Sequence, residues 1–160
     1  MVKNWMKACC LVAAMIGTAH AAQQTYVVGS GGTYRPFEFE NSQKQLEGFD
    51  IDIIKAIAKA EGFDIKLVNT PWEGIFATLS TGDRDIIISG ITITDKRKQM
   101  VDFSAPYFPA EQSIVVPADS KVTSLEALKS EKVGVVNSST GDIVVSDVLG
   151  KNSTSIKRFD

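Results

Sequence analysis

The chain has 160 residues, and its 17 basic and 19 acidic side chains leave a small negative net charge, which is unfavourable for a nucleic-acid partner. Beyond the N-terminal segment, no stretch approaches the roughly 18 consecutive apolar residues of a membrane-spanning helix. Both cysteines, Cys9 and Cys10, and the only histidine, His20, lie near the N-terminus.

The first 21 residues have the pattern of a secretory signal peptide. Lys3 and Lys7 precede an apolar run at 8–16, and alanines occupy positions 19 and 21, which an export peptidase reads. We therefore predict cleavage before Ala22 and a periplasmic product of roughly 139 residues. That product retains 15 basic against 19 acidic residues, a net charge of about −4. It has no cysteine or histidine, so we expect no disulfide, no metal site, no cofactor and no catalytic thiol or imidazole.

A glycine-rich loop follows the first predicted strand. Residues 25–29 favour a strand, and Gly-Ser-Gly-Gly at 29–32 allows the backbone to approach a ligand closely. A dinucleotide-binding loop is disfavoured, because the third glycine of that motif is missing and Pro36 prevents a helix from opening there. Tyr34 follows this loop, and its ordinary role would be that of a core or rim aromatic.

The first helix is predicted from apolar residues spaced by four. Phe49, Ile53 and Ile57 form the apolar stripe, Asp50 is the predicted N-cap, and Gly62 ends the helix. We expect this helix to be scaffold.

A second strand at 64–69 leads into a candidate capping box. Thr70 would cap a helix with Pro71 at its first position and Glu73 at its third. Trp72 shares a face with later apolar residues, which favours a core role. If the helix begins at the carboxyl edge of a parallel sheet, however, Trp72 could equally lie over a ligand.

The most informative stretch is the third predicted strand and the polar loop after it. Its three consecutive isoleucines lack a two-residue alternation, which predicts a strand of a parallel sheet covered on both faces. Its carboxyl end carries Ser89, Gly90 and Thr92, and Thr94 caps a helical turn that contains Arg97. Hydroxyls and carbonyls can accept from an ammonium and a guanidinium can fork a carboxylate, so the pattern suits a free amino acid. The alternative is turn chemistry and a solvated surface arginine.

Downstream, the pattern predicts a strand, a short helix capped by Ser124, a second strand and a longer helix. Their bounds are 112–116, 124–129, 132–136 and 142–149. The Ser-Ser-Thr-Gly run before the last helix either presents free amides to an anion at Thr140 or is an ordinary N-cap.

Four motifs carry a family resemblance: Gly-Phe-Asp-Ile-Asp at 48–52, Gly-Ile-Thr-Ile-Thr-Asp-Lys-Arg at 90–97, Asp-Phe-Ser at 102–104 and Pro-Tyr-Phe at 106–108. They resemble the signature of the family 3 solute-binding proteins, the periplasmic polar amino-acid receptors of ABC importers. The resemblance implies an α/β, two-lobe periplasmic-binding-protein fold of type II. Residues 22–112 would form most of the first lobe, and 113–160 the hinge strand and an incomplete second lobe. It also implies a monomer that binds a free amino acid and serves a membrane permease.

The resemblance further implies how the ligand carboxylate and side chain are bound. Arg97 and the backbone amides near Thr92 and Thr140 would bind the carboxylate. Tyr34 and Trp72 would form an aromatic clamp on the two sides of the ligand side chain.

The ammonium, by the same resemblance, would be bound by the carbonyl of Ser89 or Gly90 and by the Thr92 hydroxyl. Members that bind glutamine or basic side chains often have an acidic residue where this chain has Gly31. We therefore expect a free polar amino acid, with glutamine and the basic amino acids among the candidates. The glycine argues against strong selectivity for lysine or arginine and favours a neutral polar or small amino acid at least equally.

Two other functions of this fold remain open. Some relatives are periplasmic dehydratases, but none of the matched cleft positions is a carboxylate or a histidine, so we expect a binding protein without catalytic residues. A receptor's sensing domain would require a transmembrane helix after the lobes, and the sequence shows none. Because the family's second-lobe aspartate would lie beyond Asp160, we also expect binding at least about 100-fold weaker than in a complete relative.

Overall fold

The structure is a computed structural model that describes residues 23–160. The predicted signal peptide therefore lies outside the described residues. Within that range, no helix has both the length and the apolar character needed to cross a bilayer. The elements in chain order are β1 Thr25–Ser30, β2 Thr33–Tyr34, β3 Glu38–Glu40, β4 Leu46–Glu47, α1 Phe49–Glu61, β5 Asp64–Asn69, α2 Ile75–Ser80, β6 Ile86–Ile87, α3 Asp95–Lys98, a 3₁₀-helix Glu126–Ser130, β7 Val133–Val136, α4 Thr140–Leu149 and β8 Ile156–Phe159.

Three parallel strands form the first sheet, in the order β5-β1-β6. The whole length of β1 pairs with β5, and Val28 and Gly29 in its second half pair with β6 on its other side. Val28, Ile54 and Ile88 form the buried centre of this part, where α1 covers the sheet. Because the strands are parallel, their carboxyl ends lie at one edge, and the loops that follow β1 and β6 leave the sheet side by side.

A small antiparallel sheet, β2-β3-β4, links β1 to α1. The entry to α1 is at Gly48, which has φ of 125°, and a Cβ there would overlap the carbonyl oxygen of Phe37. The helix begins at Phe49, so the prediction that Asp50 is the N-cap is wrong. The Asp50 carboxylate accepts a hydrogen bond from the amide of Gly90 at 2.6 Å instead.

A second sheet and a second core lie in the C-terminal part. β7 pairs with β8 in parallel, and α4 and the 3₁₀-helix pack beside them. Leu128, Val145 and Ile156 form the buried centre. Ser139 caps α4 by accepting a hydrogen bond from the amide of Asp142 at 3.1 Å.

The predicted capping box at Thr70 is not formed. Its hydroxyl donates to the Val68 carbonyl at 3.0 Å and accepts from the Arg84 guanidinium at 3.0 Å, so it is engaged elsewhere. The helix α2 begins later, at Ile75, after Gly74 in the left-handed conformation. Trp72 therefore lies in the turn before the helix rather than in its first turn.

Two strand predictions need correction. Residues 112–116 form no strand, because no other described segment pairs with them, and Val115 is 94% exposed. The strand β6 lies at the edge of the described sheet, so Ile86 and Ile87 are only half-buried and the expected cover on both faces is limited to Ile88. β-branched residues favour an extended chain in both segments, but pairing depends on neighbours that are remote in sequence.

Candidate functional site

The loops after β1 and β6 meet at the carboxyl edge of the first sheet. The amide of Gly31, in the first loop, donates to the Ser89 hydroxyl, in the second, at 3.0 Å. Ser89 is buried, whereas Gly90 is exposed, so the second loop passes from the interior to the surface at this point. Gly90 has φ of 54°, a conformation that favours glycine.

Arg97 is buried, with 6% of its surface exposed, so it is not the solvated arginine of the alternative interpretation. Thr94 caps α3 as predicted, accepting from the Arg97 amide at 3.2 Å, and this fixes where the side chain leaves the helix. The guanidinium donates to the Thr92 carbonyl at 2.9 Å and to the Ser138 carbonyl at 3.4 Å. It lies 5.2 Å from the centre of the Trp72 ring.

The charge of Arg97 has no acidic partner among residues 23–160, where no carboxylate comes within salt-bridge distance of it. Burial lowers the pKa of Arg97 from its ordinary value, because the charged form loses hydration. Arginine nevertheless stays protonated in proteins. A buried cation satisfied only by neutral carbonyls is a strong site for an anion.

The segment before α4 faces this arginine. The Trp72 indole donates to the Asn137 carbonyl at 2.9 Å, and the Gln112 amide donates to the Thr140 hydroxyl at 3.1 Å. A cavity of about 290 Å³ lies between Trp72 and the segment at 137–138. A larger cavity, of about 560 Å³, lies between residues 112–117, the strand β7 and the first half of α4, away from Arg97.

Tyr34 and Trp72 lie on different parts of this region and do not contact each other. Tyr34 is 57% exposed, stacks on Phe37 at 5.5 Å between ring centres, and covers Gly90 so closely that a Cβ there would lie 3.0 Å from the ring. Trp72 packs edge-on against Phe76 at 6.0 Å. The structure thus brings Tyr34 to Gly90 and Trp72 to Arg97, which leaves the two rings apart.

Two buried carboxyl groups behind the strand end were not predicted as site residues. Glu38 is 2% exposed and its carboxylate accepts from the Ser89 hydroxyl at 2.7 Å. Asp50 is fully buried and accepts from the Gly90 amide. Burial raises the pKa of Glu38 to about 8, and the negative charge of Asp50 adds to this effect. The only indication of this burial in the sequence is that Glu38 lies between two phenylalanines, Phe37 and Phe39.

The family comparison agrees with the motifs. A model of the bacterial extracellular solute-binding proteins, family 3, matches residues 26–158. A probable histidine-binding protein of Neisseria gonorrhoeae is 46% identical over 138 residues, which make up 86% of this chain and 52% of that protein. The chain spans about half the length of the curated relatives it matches.

Solved structures with the same fold are also similar in sequence. An ancestral arginine-binding protein bound to arginine is 42% identical, with a TM-score of 0.80, and the match covers 86% of this chain and 61% of that one. The ancestral amino acid-binding protein AncCDT-1, a precursor of cyclohexadienyl dehydratase, is 42% identical, with a TM-score of 0.77 and coverage of 84% and 60%. The predicted type II periplasmic-binding-protein fold, present in part, is confirmed. The chain belongs to the bacterial extracellular solute-binding proteins, family 3.

Proposed function

We propose that this protein is the periplasmic amino-acid-binding component of an ABC importer. The observation that carries the proposal is the buried guanidinium of Arg97, which has no acidic partner among the described residues. Such a group favours a ligand carboxylate, because a bidentate ion pair would replace its neutral partners. The proposal assigns residues 22–112 to the first lobe and 113–160 to the hinge segment and part of the second, in keeping with two separate hydrophobic cores.

The ligand carboxylate would bind between Arg97 and the start of α4. The contact of the guanidinium with the Ser138 carbonyl is long, at 3.4 Å, so a carboxylate oxygen can displace it at little cost. At the first positions of α4, the amides of Thr140 and Gly141 donate to no acceptor within residues 23–160. The amide near Thr92 would complete the set of donors.

The ligand ammonium would bind at the carboxyl end of β6. The Ser89 or Gly90 carbonyl and the Thr92 hydroxyl are the acceptors in this proposal. Tyr34 and Trp72 would then lie on opposite sides of the ligand side chain, which is consistent with the separation of their rings. The relatives' names point to histidine and arginine as ligands of those proteins, and Gly31 leaves the loop after β1 without a selective carboxylate.

Binding rather than catalysis is the function that these residues favour. A dehydratase requires a proton donor or acceptor that touches the substrate. None of the proposed ligand contacts is a carboxylate or an imidazole, and the two carboxyl groups that contact them, Glu38 and Asp50, are buried behind Ser89 and Gly90. We further propose that the loaded protein docks on a membrane permease as a monomer.

A screen of the protein-coding amino acids by thermal shift tests the proposal. Each ligand that raises the unfolding temperature is then compared with its carboxamide and with its N-acetyl derivative. The proposal expects both derivatives to lose the effect, because one lacks the carboxylate and the other the ammonium. A screen in which no amino acid stabilises the protein would overturn the proposed function.

A further inference from the structure

Glu38 and Asp50 accept hydrogen bonds from two consecutive residues of the proposed ammonium site, Ser89 and Gly90. The Ser89 hydroxyl donates to Glu38 at 2.7 Å, and the Gly90 amide donates to Asp50 at 2.6 Å. Both carboxyl groups are almost completely buried, so neither is placed to touch a ligand itself. Their contacts instead fix the two ends of one peptide unit.

The orientation of that peptide follows from its planarity. The only cis peptide bond among residues 23–160 is at Arg35-Pro36, so the Ser89-Gly90 peptide is trans. In a trans peptide the C=O and N–H groups point in opposite directions. Because the Gly90 N–H points at Asp50 in the interior, the Ser89 carbonyl points away from it. No group within residues 23–160 donates a hydrogen bond to that carbonyl oxygen.

The two carboxyl groups also interact with each other. The oxygens Glu38 Oε2 and Asp50 Oδ1 are buried without a hydrogen-bond donor. A proton on Glu38 supplies one. Burial favours that proton most, and the charge of Asp50 and a hydrogen bond with it add to the effect, so the pKa of Glu38 is raised to about 8. A protonated Glu38 still accepts from Ser89 with its other oxygen, so both anchors coexist without repulsion between two buried charges.

We propose that Glu38 and Asp50 are positioning residues, which hold the Ser89-Gly90 peptide so that its carbonyl oxygen accepts a hydrogen bond from the ligand ammonium. The inference rests on the proposed function and extends it to residues that do not contact the ligand. If the inference holds, Glu38 and Asp50 contribute only to the part of the affinity that the ligand ammonium provides.

The experiment compares two ligands that differ only in the ammonium. L-histidine is paired with imidazole-4-propionate and L-arginine with 5-guanidinopentanoate. Calorimetry measures the affinity of each ligand for the wild type and four variants: Glu38→Gln, Glu38→Ala, Ser89→Ala and the double variant Glu38→Ala with Ser89→Ala. Glu40→Ala is the matched control, because Glu40 is on the same strand but pairs with the exposed Lys44 at 3.5 Å.

We expect Glu38→Ala and Ser89→Ala each to weaken amino-acid binding at least tenfold and the deaminated analogues less than threefold. The affinity of the double variant for the amino acid should be no lower than that of whichever single variant binds more weakly, because Glu38 acts through Ser89. Glu38→Gln should stay within threefold of the wild type, since its amide oxygen accepts from Ser89 and its NH₂ group donates to Asp50.

The outcomes separate this inference from the proposed function. A wild type that binds neither amino acid overturns both. Two results overturn the inference alone. In one, Glu38→Ala leaves amino-acid binding unchanged. In the other, Glu38→Ala weakens amino acids and their deaminated analogues equally, which would assign Glu38 a purely structural role. If Glu38→Ala does not fold, Ser89→Ala decides. Deleting one hydroxyl removes the same anchor together with the acceptor for the Gly31 amide, and only a loss confined to the amino acids supports the inference.

Discussion

Removing the guanidinium of Arg97 is the most direct test of the proposed ligand site. Truncating one partner of a buried, hydrogen-bonded charge pair costs on the order of 2–5 kcal/mol of binding, which is a loss of about 30-fold to several thousand-fold in affinity. The upper part of this range is favoured, because Arg97 is 6% exposed and has little water to screen it. Arg97→Lys should recover only part of the affinity, since an ammonium cannot fork a carboxylate.

The control is the neighbouring residue on the same helical turn. Lys96 is exposed, and Lys96→Ala should change the affinity by less than twofold. Calorimetry with the amino acid that gives the largest thermal shift measures both variants. The unfolding temperature of the ligand-free Arg97→Ala variant should change little, since a buried charge without a counter-ion adds little net stability. Equally small effects of Arg97→Ala and Lys96→Ala on binding would refute the assignment of Arg97.

Three further predictions address the proposed aromatic clamp of Tyr34 and Trp72, the buried carboxyl pair and the signal peptide. Saturating ligand should change the emission of Trp72, and Tyr34→Ala should weaken binding several-fold; an unchanged spectrum would assign Trp72 to packing alone. The folded protein keeps a proton on Glu38 that the unfolded chain loses above its ordinary pKa of 4.5, so the free energy of unfolding should fall as pH rises toward about 8, by at most about 1.4 kcal/mol per pH unit. Urea titrations at several pH values should show this slope in the wild type and a flatter profile in Glu38→Gln. Mass spectrometry of the exported protein should show loss of the first 21 residues, and retention of them would contradict the signal-peptide prediction.

Local sequence patterns predicted the elements that carry the site. The strand at 64–69 has the predicted bounds, and Gly62 ends α1 in the left-handed conformation. Thr94 caps the turn that carries Arg97. These features depend on residues within one turn or one strand, so the chain specifies them locally. The position of Arg97 at the carboxyl edge of the sheet then follows from the parallel order of the strands.

The features that the sequence did not predict depend on contacts between distant residues. Asp50 was interpreted as an N-cap because Asp is a common cap, but the close approach of Phe37 to Gly48 moves the start of the helix and directs Asp50 inward. Glu38 was not singled out from the sequence, and only the fold brings it against Ser89, 51 positions further along the chain. A charged residue that becomes buried through tertiary contacts leaves little local signal.

The two hydrogen bonds of the Arg97 guanidinium differ in length and in the segment that they reach, which bears on how the proposed site would take up a carboxylate. Its short hydrogen bond, 2.9 Å to the Thr92 carbonyl, stays within the loop that carries it. The long one, to Ser138, reaches the segment before α4, where Trp72 also donates to Asn137. A ligand carboxylate that replaces the long bond exchanges a neutral acceptor for a charged one, and charge-assisted hydrogen bonds are roughly twice as strong as neutral ones. In the proposed site, binding would therefore strengthen the link between the two parts of the chain at the residue that is proposed to bind the ligand carboxylate.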